Sequence, residues 1–151
     1  MHSLSMLART SLWAWLAAFA LSVTPLHAAE LIPLDASWKF LKGTAEASLP
    51  DTTAWRAMDF DDAAWATLPA PFWYGDVQPS PGTELTDMQN GYLSIFLRRE
   101  FSVTNPGDLA ELRLEAACDD GFIAWINGRE VARFNMPDGE PNLGTTATTP
   151  A

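Results

Sequence analysis

The dipeptide Asn127-Gly128, and the runs on either side of it, constrain this chain more than any other feature. "FIAWI" (122–126) and "REVARF" (129–134) are short runs rich in aromatic and β-branched residues, and two residues separate them. A two-residue connection between antiparallel strands is built from a primed turn. Type I′ needs positive φ at both central residues, which Asn and Gly tolerate most readily. The spacing predicts a β-hairpin.

The period-two pattern extends upstream. In "AELRLEAAC" (110–118), Ala110, Leu112, Leu114, Ala116 and Cys118 share one parity, while Glu111, Arg113 and Glu115 share the other. That is the signature of a strand with one wet face, and it predicts a buried Cys118 acting as a small hydrophobe. In "YLSIFLRREFSV" (92–103), Leu93, Ile95, Leu97, Phe101 and Val103 share one parity, interrupted by Arg99. "NPGD" (105–108) reads as the turn between these two strands, and "WKFLKG" (38–43) as a short first strand. "TAEASLPDTTAW" reads as a polar loop. "DFDDAAW" (59–65) predicts one or two helical turns capped by Asp59 or Asp61. Residues 68–91 hold four prolines and three glycines and predict a long irregular loop.

The expected fold class is therefore all-β, with about five strands in an antiparallel β-sandwich and one short helical turn near 59–65. A closed two-sheet sandwich uses about seven or eight strands. The tail "GEPNLGTTATTPA" is nearly devoid of apolar residues. The expectation is an incomplete sandwich whose closing strands lie beyond Ala151; a small complete domain is the alternative.

The N-terminus is different in kind. Arg9, the apolar run "LWAWLAAFALSV" (12–23) and the small-residue exit at Ala28 and Ala29 describe a secretory signal peptide. The apolar run is shorter than a bilayer span requires. The expected division is 1–29 signal peptide, 30–137 partial β-sandwich and 138–151 a loop at the end. After cleavage the protein is expected in the periplasm, at the cell surface or outside the cell, with no membrane partner. His2 and His27 both precede residue 30, so the remaining chain lacks histidine, and Cys118 is its one cysteine. It keeps all nineteen acidic residues against eight basic ones. A surface that acidic, without a Lys/Arg cluster, disfavours nucleic acid and anionic lipid.

Three stretches taken together resemble a known family: "W…DFDDAAW…P…YG" (Trp55, Asp59 to Trp65, Pro71, Tyr74, Gly75), "FLRREF" (96–101) and "DDGFIAWINGREVARFNMP" (119–137). Their order resembles the galactose-binding-like jelly-roll modules of large secreted bacterial proteins, often found beside lamin-tail-like or CotH-type domains or secreted hydrolases. More distantly, it is similar to the sugar-binding domain of family 2 glycoside hydrolases. The resemblance spans about Trp38 to Pro137. It implies a jelly-roll fold and says little about activity, because such folds host many roles. The family's later strands and its terminal "DxxFD"-like stretch have no counterpart in this chain.

Most of the polar residues in these motifs have a structural reading beside a functional one. Asp119 and Asp120 are adjacent, and neighbours on a strand point to opposite faces. Glycoside hydrolysis needs two carboxyl groups facing across a bond, roughly 5 to 9 Å apart. The favoured role is a tight turn in which Gly121 supplies the unusual dihedral; a calcium or sugar-hydroxyl contact is the alternative. Arg129 and Arg133 are expected on one strand face, paired with neighbouring acids. Asn135 either bonds a ligand or closes the "NMPDG" turn.

Trp73 and Tyr74 are the best recognition candidates, because aromatic faces stack on sugars and loops host binding; the alternative is a plug at one end of the sandwich. Trp38, Trp55, Trp65 and Trp125 are expected to bury apolar surface. Asp59, Asp61 and Asp62 are weak calcium candidates, since Ca²⁺ takes six to eight oxygens and this stretch cannot supply them. No cofactor is expected. Without histidine there is no Ser-His or Cys-His pair and no His-ligated zinc, and no phosphate loop opens a helix.

The expectation is a non-catalytic accessory module whose partners are a glycan or the neighbouring domains of a larger chain. The alternatives are the N-terminal accessory part of a secreted hydrolase and a structural spacer.

Overall fold

The computed structural model describes residues 29–75 and 81–150; the segment read as a signal peptide lies almost wholly outside them. Among the described residues the chain is mostly strand and loop, with about 4% helix, and no helix is long and apolar enough to cross a membrane. Seven strands follow in order: β1 (Ser37–Lys42), β2 (Ala66–Pro69), β3 (Phe72–Trp73), β4 (Thr83–Glu84), β5 (Ile95–Arg98), β6 (Phe122–Ile126) and β7 (Arg129–Phe134). They form an antiparallel sheet β2-β1-β5, a two-residue parallel pair β3-β4 and the antiparallel hairpin β6-β7. Among the described residues these sheets do not close into a sandwich.

The sheet β2-β1-β5 is covered on both faces, and its register shows how. Leu41 stands opposite Phe96 and Lys39 opposite Arg98, so these four share one face. The segment 54–65 lies on that face. Trp55 and Trp65 are buried there, and Leu41, Phe60, Phe96 and Trp125 pack around them. Trp55 meets Phe96 edge-on at 5.2 Å and Trp125 at 5.5 Å, centroid to centroid. Phe40 points the other way, is 4% exposed and stacks on Phe72 at 5.3 Å.

A short chain of hydrogen bonds sets Trp55 in place. The Ser48 hydroxyl donates to the Asp51 carbonyl at 2.6 Å and accepts the Trp55 N–H at 3.1 Å. Asp51 Oδ1 accepts from both the N–H and the hydroxyl of Thr53, and these two bonds hold its carboxyl below the usual carboxylate range. The result is a single 3-10 turn, Ala54–Arg56, which corrects the helix expected over 59–65. There Asp61 accepts the Ala63 N–H at 3.0 Å in a local turn of the kind Asp favours. Asp62 is drawn away to Arg98 and Lys39.

A second anchor joins the end of β1 to the approach to β5. Lys42 Nζ lies 2.5 Å from Asp87 Oδ2, and the buried Tyr92 hydroxyl donates to Asp87 Oδ1 at 3.1 Å. Bonding to the Lys42 ammonium lowers the Asp87 carboxyl. Burial, reinforced by the Asp87 charge, pushes the Tyr92 phenol up to about 12 from 10.0. Above pH 10 the unfolded chain gives up this proton while the folded chain keeps it. The stabilisation is therefore complete below pH 10 and is lost as the pH rises through about 12. In alkaline titrations followed by tryptophan fluorescence, Tyr92→Phe should be less stable than the parent at neutral pH and should show a smaller further loss between pH 10 and 12.

The hairpin has the turn expected of it, with φ of 51° at Asn127 and 79° at Gly128. Its register holds a surprise. Ala124 pairs with Ala132 but Trp125 pairs with Glu130, so Val131 is an extra residue in a β-bulge. The bulge shifts the parity of everything before it on β7. Glu130 and Arg133 come to one face, with Ile123 and Trp125. Arg129 goes to the other face, with Phe122, Ala132 and Phe134. The two arginines are thus on opposite faces, against the sequence expectation.

Residues 110–118 depart furthest from the reading of the sequence. The chain there joins no ladder, bends at Ala110, and every residue is exposed. Cys118 is exposed as well, not buried. Residues 101–103, expected to continue β5, also lie outside any strand, and Pro106–Asp108 is a 3-10 turn. The described residues of 68–91, expected as an irregular loop, contain β3, β4 and the end of β2.

Candidate functional site

Trp73 ends β3, and Tyr74 follows it out of the sheet. The support beneath them is backbone. Thr83 N–H donates to the Pro71 carbonyl at 2.8 Å and Leu85 N–H to the Trp73 carbonyl at 2.7 Å, while the Thr83 hydroxyl bonds the Pro69 carbonyl at 2.7 Å. Gly82 lies flat against the Trp73 ring, where a Cβ would collide with ring and backbone atoms. The Trp73 Nε1 is buried and has no hydrogen-bond partner. Tyr74 is 50% exposed. A half-covered indole, an open phenol and the exposed Glu84 beside them offer an aromatic face with a few polar groups. That combination suits a ligand carrying both C–H faces and hydroxyls.

Asp61, Asp62, Arg133 and Asn135 are spent on the fold. Asp120, not Gly121, takes the left-handed conformation, with φ of 67°. Gly121 is required for closeness instead: a Cβ there would sit 2.8 Å from the Phe134 carbonyl oxygen. Asn135 Nδ2 donates to the Asp120 carbonyl at 2.7 Å and the Thr149 carbonyl at 2.5 Å. Its Oδ1 accepts from the Thr149 N–H and hydroxyl at 3.1 and 2.9 Å. One side chain therefore staples the end of the hairpin to the tail, and no capacity is left for a ligand. Arg133 forks onto Glu130 at 2.7 and 2.8 Å and also donates to the carbonyls of Pro137 and Gly139. The pair lowers the Glu130 carboxyl and raises the Arg133 guanidinium. The bulge makes this pairing possible by bringing residues three apart to one face. Asp119 is exposed at the bend. Asp59, Asp61 and Asp62 do not converge: among the described residues, no group of three or more acidic or cysteine side chains is placed to hold a metal ion.

Sequence reasoning did not single out Arg56. Its guanidinium lies 4.1 Å from the centre of the Trp125 ring and forks onto Glu140, while its Nε is buried without a partner. With Asp51, Thr53 and Asn127 it borders an open groove of about 450 Å³. No local pattern announces this arrangement, since Glu140 is 84 residues away. Comparison with protein-family models, curated proteins and solved structures finds no match to this chain.

Proposed function

We propose that this chain is a non-catalytic, secreted accessory module of a larger extracellular protein, built as a galactose-binding-like β-sandwich, which recognises glycan through Trp73 and Tyr74. The observation that carries the reading is the contrast between the nominated groups. Asp62, Arg133 and Asn135 are occupied by internal bonds, whereas Tyr74 is open to solvent beside the half-buried Trp73. Stacking of a sugar face on such a ring is worth on the order of 1 kcal/mol. The antiparallel sheets and the Asn-Gly hairpin support the sandwich.

The test is a glycan array probed with the purified protein, followed by titration of any hit. Tyr74→Ala should weaken binding roughly fivefold, in keeping with a loss near 1 kcal/mol, and should leave the circular dichroism spectrum unchanged. A folded protein that binds no glycan, or a hit indifferent to Tyr74→Ala and Trp73→Ala, would remove the sugar-binding half of the proposal and leave a spacer.

A further inference from the structure

Residues 110–118 carry the side-chain alternation of a strand, with Arg113 beside both Glu111 and Glu115, yet none of their backbone groups bonds another backbone group among the described residues. The segment is also apolar where it should be covered. Leu112 is 45% exposed and Leu114 54%, and across a shallow groove Phe134 on the hairpin is 56% exposed. An unpaired edge of this length and apolarity is a template for another strand.

We propose that the occupant is a second copy of this chain, and that two copies pair segment 110–118 antiparallel about a two-fold axis through Leu114. Charge and ladder length together select the register. Side chains must match in parity for apolar residues to share a face, which restricts the axis to a single residue. An axis at Arg113 sets Arg113 against itself and Glu111 against Glu115, and an axis at Glu115 sets Glu115 against itself. Axes at Leu112 and Ala116 also oppose Arg113 to an acid, Glu111 or Asp119, but give shorter ladders, because Pro106–Asp108 is a 3-10 turn and the chain bends at Asp119 and Asp120. An axis at Leu114 sets Arg113 against the partner's Glu115, twice by symmetry. It also places Leu112 opposite Ala116, a large residue against a small one, and Ala110 opposite Cys118.

Opposite charges directly across a ladder stabilise it, and like charges oppose it. Arg113 already lies 3.5 Å from Glu111 and 3.7 Å from Glu115 of its own strand, so the three charges share the wet face that the pairing requires. β7 is a poorer edge for self-pairing. The Val131 bulge interrupts it, and the tail is bonded at the strand's far end through Thr148 and Asn135. The paired segment makes an isologous interface that brings two sets of exposed leucines together and gives the unbonded backbone its partners.

The purified protein should sediment as a dimer at about 100 µM. Leu114→Lys, at an exposed position, should weaken the dimer by roughly tenfold or more without changing the circular dichroism. Arg113→Glu should weaken it about fivefold, and the added Glu115→Arg should restore it. Ala110→Cys should form a disulfide-linked dimer through the exposed Cys118, whereas two native Cys118 residues, about 26 Å apart along this ladder, should not link within it. A monomer at that concentration overturns the proposal and leaves the edge to a different chain. A dimer indifferent to Leu114→Lys, or unrestored by the charge swap, overturns it by placing the interface elsewhere.

Discussion

Trp55→Ala should cost about 3–5 kcal/mol of folding stability, enough to leave much of the protein unfolded, because small domains have only about 5–15 kcal/mol in total. The size of the effect follows from how few residues make the core. Trp55 is 8% exposed, and no side chain of the described chain is fully enclosed. Trp65, Phe96 and Trp125 all rest on the Trp55 ring, and Arg56 stands over it at 5.5 Å. Removing the indole opens a cavity that the neighbouring rings cannot fill without leaving their own contacts, and it unties the hairpin from the sheet. Urea unfolding followed by circular dichroism measures this directly. A loss under about 1 kcal/mol, as at ordinary surface positions, would mean that the core is not organised around Trp55. Trp55→Phe should fall between the two, since it keeps part of the aromatic contact.

The second large effect is expected at Arg98. Its side chain is 12% exposed; Nε donates to Asp62 at 2.9 Å, and the guanidinium also bonds the carbonyls of Trp55 and Ala57. It lies 5.2 Å from the centre of the Phe60 ring. One residue of β5 thus fastens the whole covering segment to the sheet. Arg98→Ala leaves two carbonyls and a carboxylate without their donor in a partly buried place, and about 2–3 kcal/mol is the expected cost. Arg98→Lys should recover only part, because an ammonium cannot fork between carboxylate and carbonyls. The check is a double-mutant cycle with Asp62→Asn, in which the two losses should fall short of adding. Strict additivity would show that Arg98 acts through packing and not through the pair.

Local patterns were legible where local forces set the outcome. The Asn127-Gly128 turn needs φ > 0 at two successive residues, and those two residues state it. The first strand and the burial of Trp55 and Trp65 are likewise in the sequence. The Val131 bulge was not, because a bulge depends on which partner each residue meets. Its consequence, the Glu130–Arg133 fork, runs against strand parity. The 3-10 turn at Ala54–Arg56 depends on Ser48 and Asp51, and the competing site at 59–65 loses Asp62 to Arg98 and Lys39. Of the recognition candidates, the aromatic pair could be named from its loop. That Asn135 is saturated could not, since its partners lie fourteen and fifteen residues away.

The sequence by itself determined the β-rich class, the hairpin and the acidic, histidine-poor character of the chain after residue 29. Alternation, turn chemistry and charge are properties of neighbours along the chain. Only the tertiary structure decided which polar groups remained free. A hydrogen bond made inside the molecule uses up a donor or acceptor that would otherwise meet a ligand. Pairings such as Arg56 with Glu140, Arg98 with Asp62 and Asn135 with Thr149 exist only once the chain has brought distant residues together.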